Sequence, residues 1–395
     1  GFCSRFKYDS HVGDAQKLTP DEQIAFARAA FESADDLTVA VEEEFQLLDP
    51  ETLELTGRFE ELKEAAAGTE LDENVVGELI SSEIEIKTGR CETFAEAAER
   101  MAERRRQLEA LVDAHGVAIA STGTHPWSRW EDQRIIDTPH YRLNDEVLRY
   151  VVWRNNSFGI HVHVAVRGAD RAIAVCNAFR NVLPELLAFS ASSPFVEDVV
   201  TGLHSARTEI FTRMFPRCGV PDAYDGWNGF EEYVRFLYET RSITEHTQMW
   251  WSVRPHLAFP TIEVRICDAQ TELGVAHSLA ALIHALGARF ARAIDEGEEL
   301  PSLPHRLIEE NTWRAIRFGL SGELIDFERG EPVPARRRIE QLLRWVEPVA
   351  VEIGAAAFLD VPVANSAEQQ YARLEDLRSH REVFKQLVRL PERVA

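Results

Sequence analysis

The chain has 395 residues, 45% hydrophobic and 28% charged, enough to bury one large core or two ordinary ones and unlike the composition of a disordered protein. Lys and Arg total 43 against 66 Asp and Glu, a formal charge of -23, and such a field repels phosphate backbones and anionic bilayers, so neither nucleic acid nor a membrane is expected as a partner. The five cysteines are scattered with no C-x-x-C pair, there is no apolar run of about 18 residues and no signal-peptide pattern, so a cytoplasmic location is expected.

Residues 1–36 read as an N-terminal appendage with one short helix, in which Thr19 is the cap, Pro20 takes the first helical position and Glu22 completes a capping box. Residues 37–395 read as a single domain with a helical C-terminal part. Its first strand is expected over 38–49, in "TVAVEEEFQLLDP". Alternation places Val39, Val41, Phe45 and Leu47 on one face and Glu42, Glu44 and Gln46 on the other; Glu43 alone breaks the pattern. By itself this is an edge strand with one solvated face, or a strand offering Glu42 and Glu44 as oxygen ligands to a divalent cation.

The second strand, 79–88, repeats the pattern with Ile84 and Ile86 opposite Glu83, Glu85 and Lys87. Glu78 falls on the apolar side under strict alternation, so it reaches the polar face only from ahead of the strand or across a bulge. An amphipathic helix over 94–116 ends at Gly116, and a strand follows at 117–122. In "SFGIHVHVAVRG" a strand over 160–167 puts His161 and His163 opposite Val162, Val164 and Val166. The spacing aims both imidazoles the same way, but with no cysteine or third histidine near it makes a poor zinc site. A helix over 170–192 starts at an Asp170 cap and is expected to kink or divide at Pro184. The strand at 261–268 sets Ile262, Val264 and Ile266 against Glu263, Arg265 and Cys267, with Asp268 just beyond. After residue 270 the pattern is nearly all helix, about 272–295, 336–358 and 367–388.

Alternating strands joined by long connections imply an α+β fold, a mostly antiparallel sheet with helices packed on one face and the active site on the open one. The polar faces together make a carboxylate floor with a histidine row and an arginine. Such an oxygen-dominated set suits Mg²⁺ or Mn²⁺ rather than zinc. Cations held by carboxylates beside an arginine are what phosphoryl transfer from ATP requires. No Walker-type glycine loop is present, and Cys176 and Cys267 read as ordinary buried thiols.

The strings "VEEEFQLLDP", "EIEIKTGRC", "GIHVHVAV", "LLAFSASSPF", "TGLHSARTEIF", "IEVRICDAQTEL" and "NTWRAIRFGL" resemble, in order, the bacterial carboxylate–amine ligases of the glutamate–cysteine ligase type 2 family, in the glutamine-synthetase-like superfamily. The resemblance implies a glutamine-synthetase-like catalytic fold whose sheet cradles two or three Mg²⁺ ions and the phosphates of ATP. Glu42 and Glu44 then match metal ligands of the first strand, Glu78 and Glu85 the acidic pair of the second, and His161 and Glu263 the ligands of the third and fourth. Arg265 matches the arginine that meets the transferred phosphoryl group, and Arg207 resembles the one that holds the amino-acid substrate's carboxylate. His163 points the same way as His161 and is a further candidate.

The implied reaction forms an amide, γ-glutamyl by first choice, through an acyl phosphate with release of ADP and phosphate. Its partners would be ATP, glutamate or a glutamyl-like carboxylate, and an amine: cysteine, another small amine or a peptide end. A homo-oligomer is compatible with this. Ile160 stands where the family often has a histidine, and residues 1–36 have no counterpart; both bear on the amine. The competing readings are a metal-dependent amide hydrolase on the same Glu and His set, and a catalytically degenerate binding protein of the ligase fold.

Overall fold

The computed structural model describes residues 18–360 and 363–392. Each strand expected from alternation is present, Val39–Leu48 (β1) and Ile160–Ala165 (β5) slightly trimmed and Glu83–Lys87 (β3), Ala118–Ala120 (β4) and Thr261–Val264 (β7) only about half as long as expected. Val75–Val76 (β2) and Val253–Pro255 (β6) complete a seven-stranded sheet of order β6-β7-β5-β1-β3-β2, with β4 also paired to β1. Every pairing in it is antiparallel.

The β-branched residues of the apolar face explain where the core lies. Val39, Val41, Val162, Val164, Ile262 and Val264 join one buried cluster with the helices that cover that side. The covering helices include Phe94–Ala114 (α2), Ala169–Arg180 (α4), Leu183–Ser190 (α5) and Leu273–Asp295 (α7). Gly287 allows α7 to lie directly on the sheet, because a Cβ there would stand 2.8 Å from Val164 Cγ1. By length and composition α7 could cross a bilayer, but 72% of its apolar window is buried inside the molecule.

The expected helix over 170–192 is divided, and its halves are bent by 58°. The break falls at Asn181–Val182, which leaves Pro184 in the first turn of α5. Asp170 is not a cap: Gly168 holds that position, and the Asp170 carboxylate accepts the Trp227 backbone N–H at 2.8 Å instead. The helical C-terminal part also contains a hairpin, Glu323–Asp326 with Glu331–Pro334, that the helical pattern did not announce.

Residues 18–36 pack into the main body. Thr19 and Glu22 form the expected capping box on helix Pro20–Glu32 (α1), and Ile24, Ala27 and Phe31 enter the main core, with the Phe31 and Trp227 rings 5.4 Å apart. Residues 1–17 lie outside the described residues.

Glu43, the charge on the wrong face, is answered by Arg105 of α2. Arg105 Nη2 donates to Glu43 Oε1 at 2.6 Å and to the Gln270 carbonyl at 2.7 Å, and Nη1 donates to the Thr271 carbonyl at 2.8 Å. This buried strut ties α2, β1 and the segment after β7 together. Removing one partner strands a buried charge, so Arg105→Ala is expected to lower the unfolding free energy in urea by about 3–5 kcal/mol. Replacing Glu43 and Arg105 together by leucine and methionine should cost less than that single change. A loss below about 1 kcal/mol in Arg105→Ala would deny the strut its role.

Candidate active site

The open face of the sheet is the floor of a cavity of about 790 Å³. Its roof comes from Pro139–Leu148 (α3), Ala206–Met214 (α6), residues 244–250, the turn at 256–259 and the start of α1. Register arranges the floor in rows. Glu263 lies between His163 and Arg254; Glu42 lies between His161 and Lys87; Glu44 lies opposite Glu85. Period-two alternation alone aims all these side chains the same way.

His161 sits between two carboxylate groups. Its Nδ1 is 3.6 Å from Glu42 Oε2, and its Nε2 is 3.6 Å from Glu44 Oε1. One candidate ligand atom each from Glu42, His161 and Glu263 lies within 4.8 Å of the others, and the same holds for Glu44, Glu85 and His161. Carboxylates with a single imidazole fit Mg²⁺ or Mn²⁺. The site also shows unmet polar atoms. Among the described residues Glu85 Oε1 and His163 Nε2 are buried without an aligned hydrogen-bond partner, although Lys87 Nζ stands 3.2 Å from the first and Glu42 Oε2 3.4 Å from the second.

Charge divides the floor. Burial and repulsion from Glu44 push the Glu78 carboxyl up to about 7. Burial and neighbouring carboxylates push Glu83 and Glu85 well above the usual range. Glu263 goes the other way: burial opposes its charge, but Arg254 and Arg265 outweigh it and hold the carboxyl well down. Arg254 Nε donates to its Oε2 at 2.7 Å, and Arg265 Nη1 donates to its Oε1. Glu42 is likewise held well down, against burial, by Lys87 and His163. Burial, then Arg265, lowers His161 and favours the neutral ring that a cation needs.

Glu42, Glu44, Glu85, His161 and Glu263 are therefore brought together, and His163 lies beside Glu42 and Glu263. Glu78 reaches the cavity from the loop between β2 and β3, ahead of the strand. Arg207 is in neither of the two Glu and His groups and stands at the Gly159 end of the floor. Its guanidinium donates to the Ile266 carbonyl at 3.1 Å and the Arg265 carbonyl at 3.3 Å, Nη1 is 3.8 Å from Asp268, and Nε is buried with no hydrogen-bond partner among the described residues. Gly159 makes room for it, since a Cβ there would collide with Arg207 Nη2. The Gly159 N–H donates to the Glu44 carboxylate, so this one residue touches both ends of the arrangement.

Two expectations are corrected. Ile160 points into the core rather than the cavity, because it shares parity with Val162, so it does not shape an amine pocket. Cys267 is also in the core: β7 ends at Val264, and alternation does not carry past it. Burial pushes the Cys176 and Cys267 thiols up to about 12, as for inert thiols.

Sequence reasoning passed over other cavity residues. Arg254 stands on a three-residue strand too short to show a period. Glu83 and Lys87 share the face of Glu85 and were legible by parity. His140 and Glu245, with Nδ1 to Oε2 at 2.6 Å, are 105 residues apart and meet only in the fold.

The model of the family described as Glutamate-cysteine ligase family 2 matches residues 38–380. Proteins named "Putative glutamate--cysteine ligase 2" from Solibacter usitatus and Gloeobacter violaceus are each 39% identical to this chain. The first aligns over 81% of this chain and 83% of its own length, the second over 83% and 88%. The crystal structure of a glutamate–cysteine ligase from Francisella tularensis in complex with AMP superposes with a TM-score of 0.61 at 15% identity, covering 89% of this chain and 88% of that one. A bifunctional glutathione synthetase from Pasteurella multocida gives 0.63 at 14% identity, over 94% of this chain and 53% of its own. At these identities the likeness is one of fold.

The raised Glu78 carboxyl makes stability depend on pH. Between its ordinary value of 4.5 and about 7 the folded state holds a proton that the unfolded chain releases. Stability is therefore full below the ordinary value and falls as pH rises through about 7. In EDTA the urea midpoint should drop between about pH 5 and pH 8, and Glu78→Gln should drop less. Equal slopes would show that Glu78 does not titrate in this way.

Proposed function

Because this chain belongs to glutamate–cysteine ligase family 2 and is an ATP-dependent ligase, we propose that it forms an amide from the side-chain carboxylate of glutamate, or a glutamyl-like acid, through an acyl phosphate. The observation that carries the reading is the pair of Glu and His groups that share His161, with Arg265 held at Glu263 beside them. Glu42, Glu44, Glu85, His161 and Glu263 would hold Mg²⁺, with Glu78 and His163 at their margins. Bound there, Mg²⁺ would neutralise the phosphates and draw charge from the transferred phosphorus.

A carboxylate resists attack by amines, so its oxygen must first be given a good leaving group. The substrate carboxylate attacks the γ-phosphorus of ATP, the bond to ADP breaks, and an acyl phosphate forms. The amine nitrogen then attacks the acyl carbon, the bond to phosphate breaks, and the nitrogen loses a proton. Arg265 supplies a fixed cation for the charge that develops during transfer. Arg207 holds the substrate's α-carboxylate; its buried Nε, which has no hydrogen-bond partner among the described residues, supports that role. The carbonyls of Arg265 and Ile266 hold its guanidinium from behind, so little reorientation is needed. Cysteine, another small amine or a peptide end serves as the amine.

The test is incubation with Mg²⁺-ATP, glutamate and mixed amines, read by mass spectrometry and nucleotide analysis. ADP, phosphate and a γ-glutamyl amide should appear in equal amounts. AMP with pyrophosphate would refute the acyl phosphate, and cleavage of a supplied amide without ATP would favour a hydrolase. Arg265→Lys should lower kcat about tenfold or more with a smaller effect on KM for ATP, because lysine keeps the charge and loses the planar fork. Gly159→Ala, which crowds Arg207, should raise KM for the carboxylate more than KM for ATP.

A further inference from the structure

Six carboxylates of the floor line the cavity, and four of them belong to the two cation groups that share His161. Glu78 and Glu83 belong to neither. Glu78 arrives from the loop ahead of β3, whereas Glu83 stands on β3 itself, on the face that carries Glu85 and Lys87. Glu83 is 3% exposed, and among the described residues no hydrogen bond and no ion pair reaches its carboxylate. Gln46 lies opposite it on β1, but Gln46 Nε2 is turned to the Thr122 carbonyl and hydroxyl, each at 3.0 Å, so it donates nothing there. Burial and the carboxylates of Glu44, Glu78 and Glu85 work against a charge on Glu83, and Arg207 works for it. A buried acceptor in that condition is costly unless a donor arrives.

The sheet rows bring Glu83 to the Arg207 end of the floor. Along β3 the order is Lys87, Glu85, Glu83, opposite Glu42, Glu44 and Gln46 of β1. The Glu44 backbone N–H donates to the Gly159 carbonyl, and Arg207 lies against Gly159. Arg207 is therefore at one end of the row of Glu44 and Glu85, and Glu83 follows Glu85 on β3. An α-amino acid carries its ammonium on the same carbon as its carboxylate. With the carboxylate on Arg207, the ammonium comes to the same end of the cavity, where a second cation needs a carboxylate of its own. Glu83 is placed there, on no cation group and without a partner among the described residues. We infer that Glu83 accepts the α-ammonium of the carboxylate substrate, which selects an acid with a free amino group and turns away one whose nitrogen is acylated. Acylation replaces the charged donor by a neutral amide and adds bulk against the floor. This inference rests on the ligase reading above, and its test separates the two.

The experiment uses hydroxylamine as the amine, because its nitrogen displaces phosphate from an acyl phosphate and leaves a hydroxamate that can be measured. Wild-type protein with Mg²⁺-ATP is offered glutamate, glutarate, which lacks the amino group, and N-acetylglutamate. The kcat/KM for glutamate should exceed that for either analogue about thirtyfold or more. Glu83→Gln keeps the shape and removes the charge. It should lower kcat/KM for glutamate about tenfold or more while glutarate stays within about threefold, so the preference collapses. Glu83→Asp, which keeps the charge on a shorter stem, should retain more of the preference, and it supplies the same comparison if the first variant does not fold. Mn²⁺ bound per chain should be the same in Glu83→Gln and wild type, because Glu83 is in neither cation group. An equal loss for glutamate and glutarate, or a lost ion, would make Glu83 part of the metal floor and overturn the inference. Use of N-acetylglutamate by the wild type as readily as glutamate overturns it and leaves the ligase reading intact. No hydroxamate from any of the three acids overturns both.

Discussion

Like charge crowded on one face of a sheet is the constraint around which this molecule is arranged. Glu42, Glu44, Glu83, Glu85 and Glu263 point the same way because strand period leaves them no choice, and Glu78 joins them from a loop. The opposite face is packed under α7 and α4, so the strands cannot spread to relieve the repulsion. What the fold offers instead is cations in fixed places: Lys87 between Glu42 and Glu85, and Arg254 and Arg265 on Glu263. Glu83 and Glu85 are left well above the ordinary carboxylate range. Such a floor holds unspent attraction for positive charge.

The regular part of this arrangement was legible in the sequence because it follows from local periods. Alternation in "VAVEEEFQLL", "EIEIK" and "IHVHVA" located the strands, their two faces and the residues that gather at the site. Parity also marked Glu43 as an exception, but its partner Arg105 lies 62 residues away on a helix and no pattern links the two. The same limit hid the His140–Glu245 contact. Where a strand ends, parity loses its meaning: the expected face for Cys267 assumed a strand running to 268, whereas β7 stops at Val264. Arg254 was hidden for the opposite reason, since three residues are too few to reveal an alternation.

Several of the separated sequence strings meet at Asp268, a buried carboxylate. It accepts the Ser192 N–H at 2.9 Å, the Ser193 hydroxyl at 2.7 Å and the Ser205 hydroxyl at 2.9 Å, with Arg207 3.8 Å away. The Arg207 N–H in turn donates to the Ser193 hydroxyl at 3.1 Å. Serines from "SASSPF" and "HSART" are thus short-range links between the end of α5, the start of α6 and the segment after β7. Small hydroxyl residues suit that post because they satisfy a buried carboxylate without demanding volume. Burial still pushes Asp268 upward against Arg207 and the hydroxyls, which marks the hub as tightly enclosed.

His161 carries a consequence of its own. A neutral imidazole has one in-plane lone pair, on whichever nitrogen lacks the proton. Nδ1 faces Glu42 and Nε2 faces Glu44, so one tautomer completes the Glu42–Glu263 group and the other completes the Glu44–Glu85 group. The ring cannot donate its electrons to both at once. Two ions entering this floor would compete for a single donor, and the first to arrive would set the tautomer for the second.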